Sequence, residues 1–440
     1  MFTRFRVTGF TILLATSVIL AGAPPHGRAL WVWNATSVLE AGARRAFLQF
    51  CHQRGVDTAW VQVSLQGEGS TRSLSDASAW RAALRESHAA GVAIHALDGS
   101  PHYAETSGHE TPLALADAII DFNAGAVREE RFDGLHLDNE PYLLVGWRDR
   151  RRREGILSEF LTLNATLVER ARQAGGLQVG IDIPFWWQSR DAATGEAVGA
   201  VTFRGSRKAA SLHALDLLDT VGIMDYRTRA DGPDGLVAHV TDLLRYADGK
   251  GKARVYVGIE TSTADTAAFR FVTGIPADRF DAIAAGDAAL PAALQGPGLV
   301  FMDTPRGVAI GVKASEADSR MAGVTAAAAE LGARSDADAA TALVDVLGHD
   351  PEWQGARVDP SPGGGPTPVT TVSASRVMLA KLTFAGRSNA EMDRELARAE
   401  SAFSAHRSYA GIAIHHYDSY RVRFDARPPA APHFTPGSNR

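Results

Sequence analysis

In the stretch FDGLHLDNEPY, from Phe132 to Tyr142, three ionisable side chains, His136, Asp138 and Glu140, stand two positions apart with Leu135 and Leu137 between them. A strand sends alternate side chains to opposite faces, so the leucines go to one side and the ionisable row to the other. Two carboxyl groups stacked this way resist simultaneous ionisation, which raises one of them and keeps a proton available near neutral pH. Glu140 comes last in the row and precedes Pro141. It is therefore expected to project from the open end of the strand as a general acid, with Asp138 tuning it or accepting a hydrogen bond.

Such a row needs elements to position it. Strand-like runs are expected at 29–33, 58–64, 92–99, 134–141, 177–184, 220–227, 253–262 and 411–420, with helical segments between them, the pattern of alternating α/β architecture. Within the runs one parity is β-branched or leucine-rich, as in Val255, Val257 and Ile259, and the other is mixed, as in Tyr256, Gly258 and Glu260. An open sheet covered on both faces would make both parities apolar. The alternation instead predicts an α/β fold of the (β/α)8 barrel kind, apolar side chains under the helices, ionisable groups clustered at the strands' C-terminal ends.

The stretch of about 150 residues between the seventh and eighth runs is too long for one loop and helix. We expect an insertion and linker over 263–375, with one strand near RGVAIGVKAS (306–315), helices near 320–347, and a linker-like DPSPGGGPTP. The remaining boundaries are 24–262 for barrel strands one to seven, 376–425 for the last barrel helix and strand eight, and 426–440 for a disordered tail. Residues 1–23 have the three-part pattern of an export signal: two arginines, an apolar run from Phe10 to Leu20, then Ala-Gly-Ala. The expected location is periplasmic or extracellular, with no stable membrane insertion after cleavage.

Hydrophobic residues make up 45% of the 440, charged residues 22%, and the formal net charge is −5. These values suit a soluble globular protein and give no basic surplus for nucleic acid. The single cysteine, Cys51, excludes an intrachain disulfide and a cysteine-based metal site.

FDGLHLDNEP resembles the fourth-strand signature of glycoside hydrolase family 18, the chitinase-like hydrolases, with the pattern D-G-x-D-x-D-x-E. Asp133, Gly134, Asp138 and Glu140 match it, and His136 stands where the family has an aspartate. VGIMDYRT is similar to the family's sixth-strand M-x-Y segment through Met224 and Tyr226. The eighth strand offers His415, His416 and Tyr417 where the family usually has a tryptophan. The resemblance implies that Glu140 protonates the glycosidic oxygen while the substrate's own 2-acetamido oxygen attacks the anomeric carbon. Asp138 orients that group and Tyr226 hydrogen-bonds it, a substrate-assisted route that retains configuration.

A second resemblance uses the same strands differently. Asn139-Glu140-Pro141 on strand four and Glu260 at the end of strand seven look like the acid/base and nucleophile of clan A retaining glycosidases. Glu260 is then the nucleophile; alternatively it only pairs with an arginine such as Arg227.

For binding a polysaccharide or oligosaccharide substrate, the flat faces of Trp31, Trp33 and Trp186 are candidates, with His136, Asp182, Asp225, His415 and Tyr417 as polar partners. Trp60 is read as core. His95, His136 and His415 share the inward parity a metal site needs, but no strand-one H-x-H or helical H-E-x-x-H pattern is present, and no cofactor is expected. The functional expectation is an exported glycoside hydrolase acting on an amino-sugar-containing glycan. The alternatives are a non-catalytic carbohydrate-binding protein and a metal-dependent polysaccharide hydrolase or deacetylase.

Overall fold

A computed structural model describes residues 26–67, 72–263, 267–296, 298–333, 337–359 and 371–425. The segments read as an export signal (1–23) and as a tail (426–440), and all but the first residue of the linker-like DPSPGGGPTP, lie outside the described residues.

Eight parallel strands close into a barrel: β1 (Gly27–Val32), β2 (Val56–Gln62), β3 (Ala93–Asp98), β4 (Gly134–Leu137), β5 (Gln178–Pro184), β6 (Thr220–Met224), β7 (Arg254–Glu260) and β8 (Tyr409–His415). Going round the barrel, β1 pairs with β8, then β7, β6, β5, β4, β3 and β2 follow in turn. A helix follows each strand before the next one begins; the helix after β4, Arg150–Gln173, is the longest at 24 residues.

The alternation read from the sequence is what divides the two cores. Outward residues such as Val61, Leu135, Leu137, Ile181, Ile223, Val257 and Ile412 join one cluster with the helices. Each such side chain taken from water contributes about 1.5–3 kcal/mol before entropy is counted. Inward, Ala29, Trp31, Trp60, Leu97, Tyr256 and Ala413 form a separate cluster inside the barrel. Glycines make room for the large inward groups: a methyl group on Gly180 would lie 2.8 Å from His136 Nδ1, and one on Gly222 would lie 2.1 Å from Asp182 Oδ1.

Three strands end well short of expectation, and β6 is one of them, ending at Met224 instead of 227. β4 ends at Leu137 instead of running to 141, because after one further bond, Asp138 N–H to the Asp98 carbonyl, the chain leaves the ladder and turns at Glu140. β8 ends at His415, and Tyr417–Asp425 is a helix rather than strand.

Between β7 and the helix Asn389–Phe403 lies a five-stranded antiparallel sheet in the order 299–304, 307–313, 267–275, 371–376, 353–358. Helices Ala277–Ala285 and Ala314–Glu330 contribute Phe280 and Val324 to one apolar cluster, and Ala337–His349 contributes Leu343 and Leu347 to another. The sequence pattern suggests only one strand here. That run, 306–315, is the strand Gly307–Lys313, after which the chain turns helical from Ala314.

Candidate active site

The C-terminal ends of the strands gather ionisable and aromatic groups. Asp138 and Glu140 follow β4, each partly exposed, while Leu135 and Leu137 are fully buried on the helix side. Burial and the charges of Glu140 and Asp182 push the Asp138 carboxyl well above the usual carboxylate range. The repulsion expected of two stacked carboxyl groups thus falls on Asp138, while Glu140 is the group read from the sequence as the acid.

Glu140 has φ 41° and ψ 56°, a left-handed conformation uncommon outside glycine, on the residue directly before a proline. Such a backbone costs on the order of 1–3 kcal/mol and survives where its surroundings over-determine it. Pro141–Leu143 form a short 3-10 turn closed by Leu143 N–H donating to the Glu140 carbonyl at 3.0 Å. The Tyr142 hydroxyl donates to Glu140 Oε1.

Tyr226, just past β6 and of inward parity, is partly exposed. Its phenol is held well above its ordinary range by burial and then by the charges of Glu260, Asp138, Asp182 and Glu140. The same carboxylates thus converge on one hydroxyl, which places Tyr226 among them at the barrel mouth.

Glu260 ends β7 and is 2% exposed. Its Oε1 accepts from the backbone N–H groups of Thr261 (2.7 Å) and Ser262 (2.6 Å), and its Oε2 accepts from His415 Nδ1 at 2.7 Å. Burial alone would raise this carboxyl, but the hydrogen bonds from His415 and the Ser262 amide outweigh burial and hold it below its usual value. A carboxylate so buried and so fully engaged is poorly suited to attack carbon, which corrects the reading of Glu260 as a nucleophile. The arginine alternative also fails in detail, since Arg227 pairs with Asp234 at 2.7 Å.

His415 links this anchor to the mouth. Trp33 Nε1 donates to His415 Nε2 at 3.0 Å, and an indole N–H is a donor only. Nε2 must then accept, which puts the imidazole proton on Nδ1, facing Glu260. Trp33 and His415 are both partly exposed, and the His415 ring lies 5.9 Å from that of Tyr226. Trp186 is partly exposed on the turn after β5, with its ring 5.2 Å from Tyr142 and 6.0 Å from Trp147. Tyr142 and Trp147 were not singled out from sequence. Their signal was aromatic residues within seven positions of Glu140 in a loop leaving the strand.

Five expected sugar-binding residues lie elsewhere. Trp31 is fully buried inside the barrel, edge-on to Trp60 at 4.5 Å, and donates from Nε1 to Asp182 Oδ2 at 2.9 Å. His136 is fully buried, stacked on Trp60 at 3.8 Å, with Nε2 2.9 Å from Asp182 Oδ2. Both rings are enclosed because inward parity on β1 and β4, below the strand ends, means the barrel core. Asp225 takes the outward parity of β6 and is fully buried, with Oδ1 2.8 Å from His239 Nδ1 on the helix Leu236–Lys250. Tyr417 packs from its helix against Phe47 (5.1 Å) and Phe50 (5.6 Å), outside the barrel. Asp182, 3% exposed, lies beneath the mouth and acts on Asp138 by its charge rather than on a ligand by contact.

Burial and the neighbouring His136 push His95 down to about 4, so it is neutral at physiological pH. Among the described residues no group of three or more histidine, cysteine, aspartate or glutamate side chains is arranged to hold a metal ion. No helix among them is long and apolar enough to cross a membrane. One concave surface of about 710 Å³ is lined by Ser262, Arg387, Asn389, His416 and Arg423 and does not include Glu140.

No protein-family model and no curated protein sequence matches the chain. Among solved structures, the fold is similar to a chitinase from Chromobacterium violaceum (12% identity, 91% of this chain and 98% of that one, TM-score 0.38). It is also similar to a family GH18 chitinase from Cycas revoluta in complex with allosamidin (12%, 89% and 95%, TM-score 0.39). A third is a spore cortex-lytic enzyme from Bacillus megaterium (12%, 88% and 70%, TM-score 0.36). At these identities and scores the likeness concerns the barrel fold and carries no argument about activity.

Proposed function

We propose that the protein is an exported glycoside hydrolase that cleaves a glycosidic bond in an amino-sugar-containing glycan with retention of configuration. The observation that carries this reading is the pair Asp138 and Glu140 at the open end of β4, where burial and mutual repulsion raise the Asp138 carboxyl and Tyr226 stands among the same charges. Glu140 gives its proton to the glycosidic oxygen, and the C–O bond breaks with its electron pair going to that oxygen. The substrate's acetamido oxygen attacks the anomeric carbon from the other face. Asp138 orients the acetamido group, and Tyr226 hydrogen-bonds it.

The substrate-assisted route is preferred over a protein nucleophile because Glu260 is buried and bound by three donors. Trp33, Trp186, Tyr142 and Trp147 supply apolar faces for pyranose rings. The export assignment rests on the pattern of residues 1–23.

The test is to screen the purified protein on chitin oligomers, peptidoglycan and biofilm amino-sugar polymers, following the first-formed product anomer by NMR. A β-linked substrate giving β product first supports the reading. An α product, or glycan binding without hydrolysis, rejects it in favour of an inverting enzyme or a carbohydrate-binding protein. Mass spectrometry of the mature N-terminus tests export: cleavage near Ala23 is expected, and an intact N-terminus in a secreting host contradicts it.

A further inference from the structure

We propose that Tyr142 is a positioning residue for the proton donor: its hydroxyl, aimed by a box of tryptophans, fixes the rotation of the Glu140 carboxyl and marks Oε1 as its accepting oxygen. The proposal rests on the reading of Glu140 as general acid and deepens it.

Three observations meet at this turn. Glu140 sits in the left-handed region, one of three non-glycine residues at positive φ among those described, and its side-chain direction follows from that backbone. Tyr142, two residues on, donates to Glu140 Oε1. The Tyr142 ring is boxed from two loops, by Trp186 at 5.2 Å and 70° and by Trp147 at 6.4 Å and 77°. Trp147 in turn stacks at 6.1 Å on fully buried Trp187. The hydroxyl's aim is therefore set by packing that reaches the core, the condition for a precisely held functional group.

The chemistry follows from donor and acceptor roles. A phenol that donates to Oε1 makes Oε1 the carbonyl-like oxygen, so the transferable proton belongs on Oε2. Burial and the charges of Glu140 and Asp138 keep the Tyr142 phenol protonated well beyond its usual range, so it remains a donor throughout the working pH. A donor favours the ionised carboxylate, opposing the repulsion between Glu140 and Asp138 beside it. The other titratable groups facing this mouth are Tyr226 from β6, Glu260 from β7 and His415 from β8.

Tyr142→Phe keeps the ring and deletes only the hydroxyl. A readout that needs no turnover is a ¹³C-carboxyl NMR titration of the full chain, with the Glu140 resonance assigned by its loss in Glu140→Gln. The Glu140 midpoint is expected to rise by about half a pH unit or more in Tyr142→Phe. An unmoved midpoint overturns the proposal whatever the activity. In kinetics, hydrolysis of an unactivated chitin oligomer should fall about 10- to 100-fold in kcat with KM within about twofold. A 2,4-dinitrophenyl glycoside, whose leaving group needs no proton, should lose less than about threefold. Equal losses on both substrates signify a merely structural tyrosine and overturn the proposal. Wild-type inactivity on every glycan rejects the functional reading instead, and the titration still decides on Tyr142.

Discussion

Glu260→Gln separates the two mechanistic readings most sharply, and its cost follows from the three bonds the carboxylate accepts. A glutamine oxygen can keep both backbone bonds, from Thr261 and Ser262, but without charge assistance. Its amide group then meets His415 Nδ1–H, donor against donor, because Trp33 holds the other imidazole nitrogen as acceptor. Losing one charged hydrogen bond (about 1.5–3 kcal/mol) and the charge on two others gives a destabilisation of about 3–4 kcal/mol at neutral pH. For a chain of this size that lowers Tm by roughly 3–5 °C. The pH dependence has a definite sign. Glu260 is held below its ordinary value of 4.5, so its stabilisation is present above that value and disappears as pH falls through the lower folded-state value. The stability gap between wild type and variant should thus be constant from about pH 5 upward and close on acidification. Urea unfolding at a series of pH values measures it, alongside turnover per folded molecule, which should stay within about 100-fold of wild type. If stability is unchanged, turnover vanishes, and azide restores turnover to Glu260→Ala as a glycosyl azide product, Glu260 is the nucleophile and the reasoning is wrong.

Other outcomes follow from the same geometry. Asp138→Asn should raise stability at about pH 7, because burial and the charges of Glu140 and Asp182 hold the Asp138 carboxyl above its unfolded-state value. That gain should vanish below about pH 4, where both states are protonated, while turnover falls at least about 100-fold; equal stability at neutral pH would contradict it. His239→Ala leaves Asp225 buried with one partner gone, and should cost about 2–3 kcal/mol in denaturant unfolding with KM unchanged. A rise in KM would return Asp225 to the binding site. Trp33→Phe, which loses the indole donor to His415, should raise KM for oligosaccharide several-fold at a stability cost of about 1 kcal/mol, and an unchanged KM would remove Trp33 from the sugar floor.

How far the sequence discloses this molecule depends on whether a feature is local. All eight barrel strands are visible because a side chain's face follows from parity, and Leu135 and Leu137 against His136 and Asp138 is parity alone. The inserted sheet is nearly invisible because its strands pair antiparallel across long separations, as Ala267 with Arg376. Trp31 and His136 miss the mouth at which the sequence suggests them because parity says inward but not how deep. Their depth is set by neighbours across the sheet: Gly180 opposite His136 and Gly258 beneath Trp31 leave room for the rings inside. The turn at Glu140 defies the local rule, since a residue before proline favours extended backbone, and only the three-dimensional clamp of Tyr142 and the tryptophans explains it. His415 was legible as inward, but its partnership with Glu260 required knowing that β7 and β8 are neighbours with these two residues in register.

The central claim is that the side chain of Glu140 supplies the proton. Glu140→Gln preserves shape and hydrogen-bonding length and removes only the acidity, so circular dichroism and Tm should match wild type to within about 2 °C. Turnover of a chitin oligomer should fall at least about 1,000-fold. A Glu140→Gln variant that folds normally and hydrolyses the oligomer at the wild-type rate contradicts the account.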